Sequence, residues 1–336
     1  MGEGGCCDKS QATKECLVLD MEKLAWISHA EDGQLVQSLN QFRWRASVVS
    51  MSVGVYVLGG SSENLYVSNS RTSEFLPTGK TVWEKGPDLP ISFRHACAVA
   101  ISSTRFLIMR RDSSTSSSSI REYDTSTAMG PTSNEGWQPE NTWPDLMNER
   151  YAGMGCAVLG TKLVVAGGSG GPGYQRSTEI INLETKTIEY GEDMLQKRAW
   201  FHLLPISRSG EPLLWAVGGW SGGGFLNSVE QWNPKTGGWS EVEGQLSDRR
   251  GDFGAVAVED SFCRESVSTT EQSTTVGILH PSSILLIGGD PWATVLGNGS
   301  TDKMSIFSLL IQAVKLPHFP IRAHFILLFF EPMGRW

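Results

Sequence analysis

The chain has 336 residues, of which 40% are hydrophobic and 19% are charged, a balance typical of folded proteins with an apolar core. The formal net charge of −8 and the scattered Lys and Arg argue against a nucleic-acid surface, because phosphate binding depends on clustered cations. No apolar stretch is long enough to span a membrane, and the first residues lack the apolar segment of a secretory signal. We therefore expect a cytoplasmic location, with the nucleus as the alternative.

The N-terminal region divides into two parts. Residues 1–15 are expected to form a disordered N-terminal segment. A partial repeat follows at 16–44, since the residues from Leu19 to Trp26 align without a gap with those from Trp232 to Trp239 of a later, complete repeat. The chain is therefore predicted to enter in the middle of a structural unit, which the C-terminus would complete.

Five segments that begin with Arg and continue with an apolar run follow, and they recur every 48 to 56 residues. The repeats open at Arg45, Arg94, Arg150, Arg198 and Arg250. Each repeat contains short apolar runs separated by Gly, Pro, Asn, Asp and Ser, which predicts four strands and no helix. Units of this kind stack radially, because each can bury its faces only against its neighbours.

Within the repeats, Gly-Gly pairs and aromatic residues recur at matching positions. Four repeats end their second apolar run in Gly-Gly, at Gly59-Gly60, Gly167-Gly168, Gly218-Gly219 and Gly288-Gly289. The second repeat has Arg110-Arg111 in that place. We expect the glycines to allow positive φ and close backbone approach. The aromatic residues expected to pack one sheet on the next are Trp26, Trp83, Trp143 and Trp239.

The pattern weakens towards the C-terminus. The fifth repeat carries a Ser/Thr-rich insertion, and residues 308–336 are expected to form an irregular C-terminal segment. The last structural unit is therefore predicted to be degenerate or incomplete.

The recurring order of Arg, a Gly-Gly strand, a strand such as SVEQWNP and then Trp resembles the kelch repeat over roughly residues 16–300. The chain is thus identified as similar to the kelch-like and galactose-oxidase-type propellers. The resemblance implies an all-β fold, a kelch-type β-propeller over 16–336 with six blades of four antiparallel strands; five or seven blades stay open.

The resemblance also implies a binding surface. In kelch propellers that act as substrate receptors, the pocket resembles a ring of the repeat-opening Arg and the residue after Gly-Gly. Carried over, these positions are Arg45, Arg94, Arg150, Arg198 and Arg250 with Ser61, Asp112, Ser169, Trp220 and Asp290. Such a ring would favour an acidic or polar peptide through bidentate Arg contacts. The alternative is structural, since an Arg can tie loop carbonyls and carboxylates together.

Three functions are compatible with these features. The leading hypothesis is a protein-interaction module, a scaffold or adaptor that binds another protein. The second is a substrate-recognition subunit of a cullin-type ubiquitin ligase without its own BTB domain, because only about 15 residues precede the first repeat. The third and least favoured is a propeller enzyme, an oxidase or a hydrolase.

The motifs that could support catalysis are better explained by the repeats. Gly168 to Gly173 matches GxGxxG and Gly219 to Gly223 matches GxSxG, but neither precedes a helical pattern. The six histidines lack the pairing that copper ligation needs, and the six cysteines include no CxxC. Cys97 and Cys156 lie in apolar runs, which favours small buried thiols. We therefore predict no catalytic residue, cofactor or metal.

Overall fold

The fold comes from a computed structural model. It describes residues 16–20, 25–27, 36–61, 70–93, 95–111, 118–127, 129–208, 211–246, 248–258, 283–287, 309–314 and 324–329. The N-terminal segment 1–15, Arg94, Asp112, Asp290 and the pair Gly288-Gly289 lie outside the described residues. The predicted domain boundaries stay predictions.

The described residues form six antiparallel sheets, and the first described strands belong to the sheet that the C-terminus completes. This sheet has the order β2-β1-β22-β21 and consists of β1 (Cys16–Asp20), β2 (Ala25–Ile27), β21 (Leu309–Val314) and β22 (His324–Phe329). Its centre is the pairing of β1 with β22, which places Cys16 opposite Leu328 and Asp20 opposite His324. This sheet therefore combines strands from both ends of the chain, and residues 308–336 contribute two of them; the partial repeat at 16–44 stays a prediction.

The other five sheets follow the order of the chain. The first consists of β3 (Ser47–Met51), β4 (Gly54–Leu58), β5 (Ser73–Pro77) and β6 (Glu84–Lys85). The second consists of β7 (Cys97–Ala100), β8 (Arg105–Arg111) and β9 (Ser118–Asp124). The third consists of β10 (Ala152–Leu159), β11 (Lys162–Gly170), β12 (Gly173–Tyr174), β13 (Thr178–Asn182) and β14 (Ile188–Tyr190). The fourth consists of β15 (His202–Arg208), β16 (Glu211–Val217), β17 (Val229–Trp232) and β18 (Trp239–Glu241). The fifth consists of β19 (Gly254–Val258) and β20 (Ser283–Ile287).

The sheets are arranged as a closed ring around their first strands. Strand β3 contacts β7, β7 contacts β10, β10 contacts β15, β15 contacts β19, β19 contacts β21, and β21 contacts β3. This cyclic order of inner strands is the arrangement of a β-propeller, in which each sheet is one blade. The predicted all-β propeller is therefore confirmed; its blade number for the whole chain stays a prediction.

Helix contributes little to the described part of the chain. Two short 3₁₀ turns, Asn134–Gly136 and Glu140–Thr142, interrupt the region after β9. Among the described residues no helix is long and apolar enough to cross a membrane.

Apolar side chains fill the space between neighbouring blades. Between the first and second blades, Tyr56 lies 5.3 Å from Phe106 and 6.0 Å from Tyr123, measured between ring centroids. Similar clusters join the second blade to the third, the third to the fourth and the fourth to the fifth. Trp83, Trp143 and Trp239 are buried, whereas Trp26 lies in β2 and its side chain is outside the description. Stability therefore resides largely between blades, where the apolar surface is removed from water.

The Gly-Gly pairs lie where the backbone of the next blade comes closest. In the third blade, Gly167 and Gly168 have φ of 60° and 92°, and the N–H of Gly168 donates to the carbonyl of Arg198 at 2.7 Å. A Cβ on Gly167 would lie 2.4 Å from that same carbonyl oxygen. Glycine is required here because any side chain would push the two blades apart.

Candidate functional site

Two of the arginines predicted to line a binding ring are instead internal supports of their blades. Arg198 is 0% exposed, and its guanidinium donates to Glu230 at 2.9 and 3.0 Å, to the Gly218 carbonyl at 2.7 Å and to the Ser228 carbonyl at 3.0 Å. Burial lowers the pKa of Arg198, and Glu230 opposes that effect. This guanidinium is saturated by its own blade, which leaves it no surface for a partner.

Arg150 repeats the same arrangement in the third blade. It is also 0% exposed, and it donates to Glu179 at 2.9 and 3.1 Å and to the carbonyls of Gly167 and Ser177. Burial lowers the pKa of Arg150, and Glu179 is the main opposing influence. The partner-binding role predicted for Arg150 and Arg198 is therefore corrected to a structural one, because their buried side chains cannot reach a ligand.

In the first blade this structural position belongs to Arg43 rather than to Arg45. Arg43 is 1% exposed, and it donates to Glu74 at 3.0 Å and to the Gly59 carbonyl at 2.8 Å. The position of Arg198 is taken in the second blade by Phe93, whose carbonyl accepts the equivalent bond from Gly60 at 2.8 Å. The predicted repeat openings at Arg45 and Arg94 are therefore displaced from the structural position by two residues and by one.

The fifth opening, Arg250, is also mostly buried. Its side chain is 9% exposed and lies 3.4 Å from Asp248, and its carbonyl accepts from the N–H of Gly219 at 2.8 Å. This backbone bond places Arg250 at the same position as Arg198. The Arg250 side chain is therefore directed mainly into the blade junction and not into solvent.

In its described part, the second blade lacks the buried ion pair and carries an Arg where the first, third and fourth blades carry the Glu. Arg121 occupies the strand position of Glu74, Glu179 and Glu230, and it pairs with Glu140 in the second 3₁₀ turn. The missing Arg is the one replaced by Phe93. The second blade thus has a charge pair between its third strand and the following 3₁₀ turn, and no charge at the position of Phe93.

A ring of left-handed residues marks the mouth of the central channel, where each inner strand begins. Arg45, His95, Trp200 and Asp252 have φ between 53° and 56°, and Gly153 has φ of 68° at the corresponding place. The N–H of His95 donates to the carbonyl of Arg45, that of Trp200 to Gly153, and that of Asp252 to Trp200, each at 2.9 to 3.0 Å. We call these five residues the channel mouth. Non-glycine residues in this conformation are strained, and such strain concentrates at functional sites.

The charged groups of the channel mouth contact one another. Arg45 contacts the Nε2 atom of His95, lies 3.0 Å from the Oδ2 atom of Asp252, and stacks 4.1 Å from the centre of the Trp44 ring. Because a guanidinium can only donate, the Nε2 atom of His95 is the acceptor of this contact. The positive charge of Arg45 is thus paired with the carboxylate of Asp252 from the fifth blade.

A second charged group lies on the same face, between the second and third blades. Arg111 is 2.7 Å from Glu149 and lies 4.4 Å from the centre of the Tyr151 ring. A hydrogen bond to Glu149 is the main influence that raises the pKa of Tyr151. Tyr151 is 39% exposed, so its ring is available on the surface.

Partly exposed aromatic side chains continue around the mouth into the fourth blade. Tyr174 and Trp200 lie 5.8 Å apart, and Trp220 and Phe225 lie 4.9 Å apart, both pairs edge to face. The turn at Gly222 contacts Tyr174 and so joins the two pairs. We call these four residues the aromatic wall. Clustered aromatic rings of this kind are the usual anchors of protein interfaces.

The inner strands enclose a central cavity of about 620 Å³ beneath the mouth. Arg45, His95, Trp200 and Asp252 lie at its opening, and the inner strands line it with mostly small apolar side chains such as Val48, Ala98 and Ala157. A space of this size accepts a small molecule or a few peptide side chains.

The residues predicted to follow Gly-Gly take three different positions. Ser61 is 1% exposed and pairs through its backbone with Trp44, so it is not part of a free surface. The Ser169 hydroxyl donates to the Ala152 carbonyl at 3.3 Å at the start of the third blade. Trp220 belongs to the aromatic wall. Arg94, Asp112 and Asp290 lie outside the described residues.

The two enzyme-like motifs have ordinary structural explanations. The GxGxxG segment from Gly168 to Gly173 forms the turn between β11 and β12, which pair with each other. In the GxSxG segment, the N–H and hydroxyl of Ser221 both bond to the carbonyl of Gly224, which closes a tight turn. No three His, Cys, Asp or Glu side chains are grouped to hold a metal within the part of the chain that the structure describes.

The sequence alone predicted no site role for Arg43, His95, Trp200 or Asp252. The signal that could have found them is positional: three of the four lie two residues after the structural Arg or Phe, a spacing seen from Phe93 to His95 and from Arg250 to Asp252. The residue type at this left-handed position differs in each of the five blades where it is described, so the amino acids alone do not reveal that the position recurs.

Known proteins share this repeat. A model of the kelch motif matches residues 150–194 and 210–244. The chain is 32% identical over 132 residues to the Kelch repeat-containing protein kel-10 of Caenorhabditis elegans, covering 39% of this chain and 23% of that protein. The Kelch repeat and BTB domain-containing protein F47D12.7 of Caenorhabditis elegans is 30% identical over 132 residues, again 39% of this chain and 23% of the relative. Kelch-like protein 36 of Rattus norvegicus is 34% identical over 118 residues, 34% of this chain and 18% of the relative. The matched region thus spans less than a quarter of each of these relatives.

Proposed function

Because this chain is a kelch-repeat β-propeller, we propose that it is a protein-interaction module that captures its partner on the face around the channel mouth. The observation that carries the proposal is the aromatic wall, in which Tyr174, Trp200, Trp220 and Phe225 are partly exposed and adjoin one another. Aromatic rings on a rigid scaffold bury much apolar area at little entropic cost, which is what a binding surface requires.

The charges of this face support a partner that is not strongly acidic. The prediction of an acidic peptide rested on a ring of arginines, and two of these, Arg150 and Arg198, have 0% exposure. On the described part of the face, Arg45 faces Asp252 at 3.0 Å and Arg111 faces Glu149 at 2.7 Å. We therefore propose that apolar or aromatic side chains of the partner pack on the aromatic wall, with polar groups at Arg45.

The test compares a double aromatic variant at the mouth with a single aromatic variant elsewhere on the surface. The protein carrying Trp200→Ala and Trp220→Ala is compared with the protein carrying Tyr190→Ala, whose ring is 64% exposed on β14 away from the mouth. Each is used for affinity purification followed by mass spectrometry beside the wild type, and the captured partner is then titrated. Circular dichroism verifies that all three proteins are folded.

The expected result is at least a tenfold loss of partner affinity for the mouth variant, since interface anchors contribute about 2 kcal/mol or more each. Tyr190→Ala should bind as the wild type does. Equal capture by the folded mouth variant and the wild type would overturn the proposal, because the partner would then use another surface.

A second candidate is a substrate-recognition role in a cullin-type ubiquitin ligase. It is supported by the relative described as a Kelch repeat and BTB domain-containing protein, of which this chain matches 23%. Co-purification of a cullin with the wild type would support this role. Its absence from purifications that still capture another protein would leave only plain binding. The predicted cytoplasmic location is tested in the same cells by fractionation.

A further inference from the structure

A disulfide joins the inner strands of the second and third blades. Cys97 on β7 and Cys156 on β10 are bonded, with Cα atoms 6.1 Å apart and a sequence separation of 59. We propose that this pair is a redox-modification site, a covalent link between two blades that small thiols and disulfides reach through the central cavity. The proposal is independent of which partner binds at the channel mouth.

The position of Cys97 is one that other blades also use to contact their neighbours. Cys97 lies opposite Met109, as Ser47 lies opposite Leu58 and His202 opposite Val217; each partner directly precedes the Gly-Gly position, which Arg110 takes in the second blade. The equivalent side chains reach the next inner strand: the Ser47 hydroxyl donates to the Ala96 carbonyl at 2.6 Å, and His202 bonds the Phe253 carbonyl. In the first and fourth blades the side chain at this position therefore links adjacent blades by a hydrogen bond, and in the second blade the link is covalent.

The sequence prediction of small buried thiols is corrected here. The two residues are each partly exposed, and both line the central cavity. Their surroundings explain the mistake, because Val99, Met154 and Val158 pack around them in an apolar cluster. The cavity of about 620 Å³ admits a small thiol but not a folded reductase.

The chemistry is ordinary thiol–disulfide exchange. A thiolate of glutathione class attacks one sulfur, the Cys97–Cys156 bond breaks, and the released thiolate takes up a proton. A second small thiol then attacks the mixed disulfide, which leaves two protein thiols and one small-molecule disulfide. The protein gains two electrons and two protons, which the two small thiols lose; oxidation by a small disulfide runs the same steps in reverse.

Reduction would leave this blade junction with non-covalent contacts only. One of these is the ion pair of Arg111 in the second blade with Glu149 before the third, at 2.7 Å. It lies on the mouth face, beside Tyr151. The redox state of the pair would therefore affect the stability of the junction between the second and third blades, which carries Arg111, Glu149 and Tyr151 on the mouth face.

The experiment follows the two sulfurs in the native, full-length chain. The protein is treated with oxidised glutathione, and its remaining free thiols are then blocked. It is next treated with dithiothreitol in the absence of denaturant and mapped by mass spectrometry after a second alkylation. The variant Cys97→Ser removes one partner and introduces the residue type that the first blade has at the equivalent position, Ser47. Cys156→Ala removes the other, and Cys16→Ser serves as a matched control outside the pair.

We expect a peptide linked through Cys97 and Cys156 after oxidation, and two newly alkylated sites after dithiothreitol. The melting temperature should fall on reduction for the wild type and for Cys16→Ser, and should not respond in either pair variant. The absence of the linked peptide after oxidation would overturn the proposal. A link that opens only in urea would also overturn it, since small thiols would not then reach the pair through the cavity.

Discussion

The role of Arg198 gives the sharpest test of the blade architecture. In Arg198→Ala, Glu230 would lose its two bonds from the guanidinium, at 2.9 and 3.0 Å, while staying 1% exposed. The carbonyls of Gly218 and Ser228 would each lose a donor. Glu230 would keep only the backbone N–H bonds from residues 195 and 196, so a carboxylate would stay buried without its cation.

The magnitude follows from this geometry. Removing one partner of a buried ion pair costs about 3–5 kcal/mol, because the remaining charge is not compensated. That is a large share of the free energy of unfolding of an ordinary domain, about 5–15 kcal/mol. An exposed pair is the matched control: Arg176 and Asp193 lie 3.1 Å apart, with side chains 54% and 47% exposed. Arg176→Ala should cost no more than about 1 kcal/mol.

Urea titration followed by tryptophan fluorescence measures both losses. We expect Arg198→Ala to shift the unfolding midpoint far below that of Arg176→Ala, or to prevent folding at 37 °C. Similar small losses for both variants would refute the structural role, and Arg198 would again become a candidate for partner binding. A partner-binding assay on the variant is informative only if the protein is folded.

Two further measurements examine the glycine pairs and the cavity wall. Gly167→Ala should lose at least about 2 kcal/mol more stability than Gly160→Ala: both glycines have φ near 60°, but a Cβ at Gly167 would lie 2.4 Å from the Arg198 carbonyl, whereas nothing lies within 4 Å at Gly160. Equal losses in urea would show that backbone conformation alone sets the cost. Burial lowers the pKa of His202, so the folded protein binds that proton more weakly than the unfolded chain. The wild type should therefore lose stability as pH falls below about 6.5, by at most about 1.4 kcal/mol per pH unit, and His202→Gln, which can still donate to Phe253, should remove that dependence. Identical pH profiles for the two proteins would contradict this account.

The fold could be predicted because its signals are local and repeated. Strand β11 contains the pair Gly167-Gly168 and β16 is followed directly by Gly218-Gly219, so the pair recurs at one position of the repeat. The alignment of Trp26 with Trp239 likewise indicated a shared sheet at the two ends of the chain. Each of these inferences needs only the spacing of residues within one repeat.

The site could not be predicted in the same way, because its register is decided by contacts between blades. Arg43 and Arg45 flank Trp44, and only the backbone bonds between Trp44 and Ser61 decide which Arg points inward. In the second blade, Phe93 occupies the position of the Arg, and the sequence pattern assigned the repeat opening to the neighbouring Arg94 instead. The Cys97–Cys156 pair depends on two strands that meet only when the ring has formed.

The pairing of β1 with β22 has a consequence for biosynthesis. Cys16 to Asp20 must wait for the partners Leu328 to His324, about 300 residues later in the chain. At roughly 5–20 residues per second, the ribosome needs about 15–60 seconds to deliver them. During that interval the backbone N–H and C=O groups on one edge of the first strand have no partner strand, and such an edge can pair with other chains. The N-terminal strand is therefore open to incorrect pairing until translation has delivered β22.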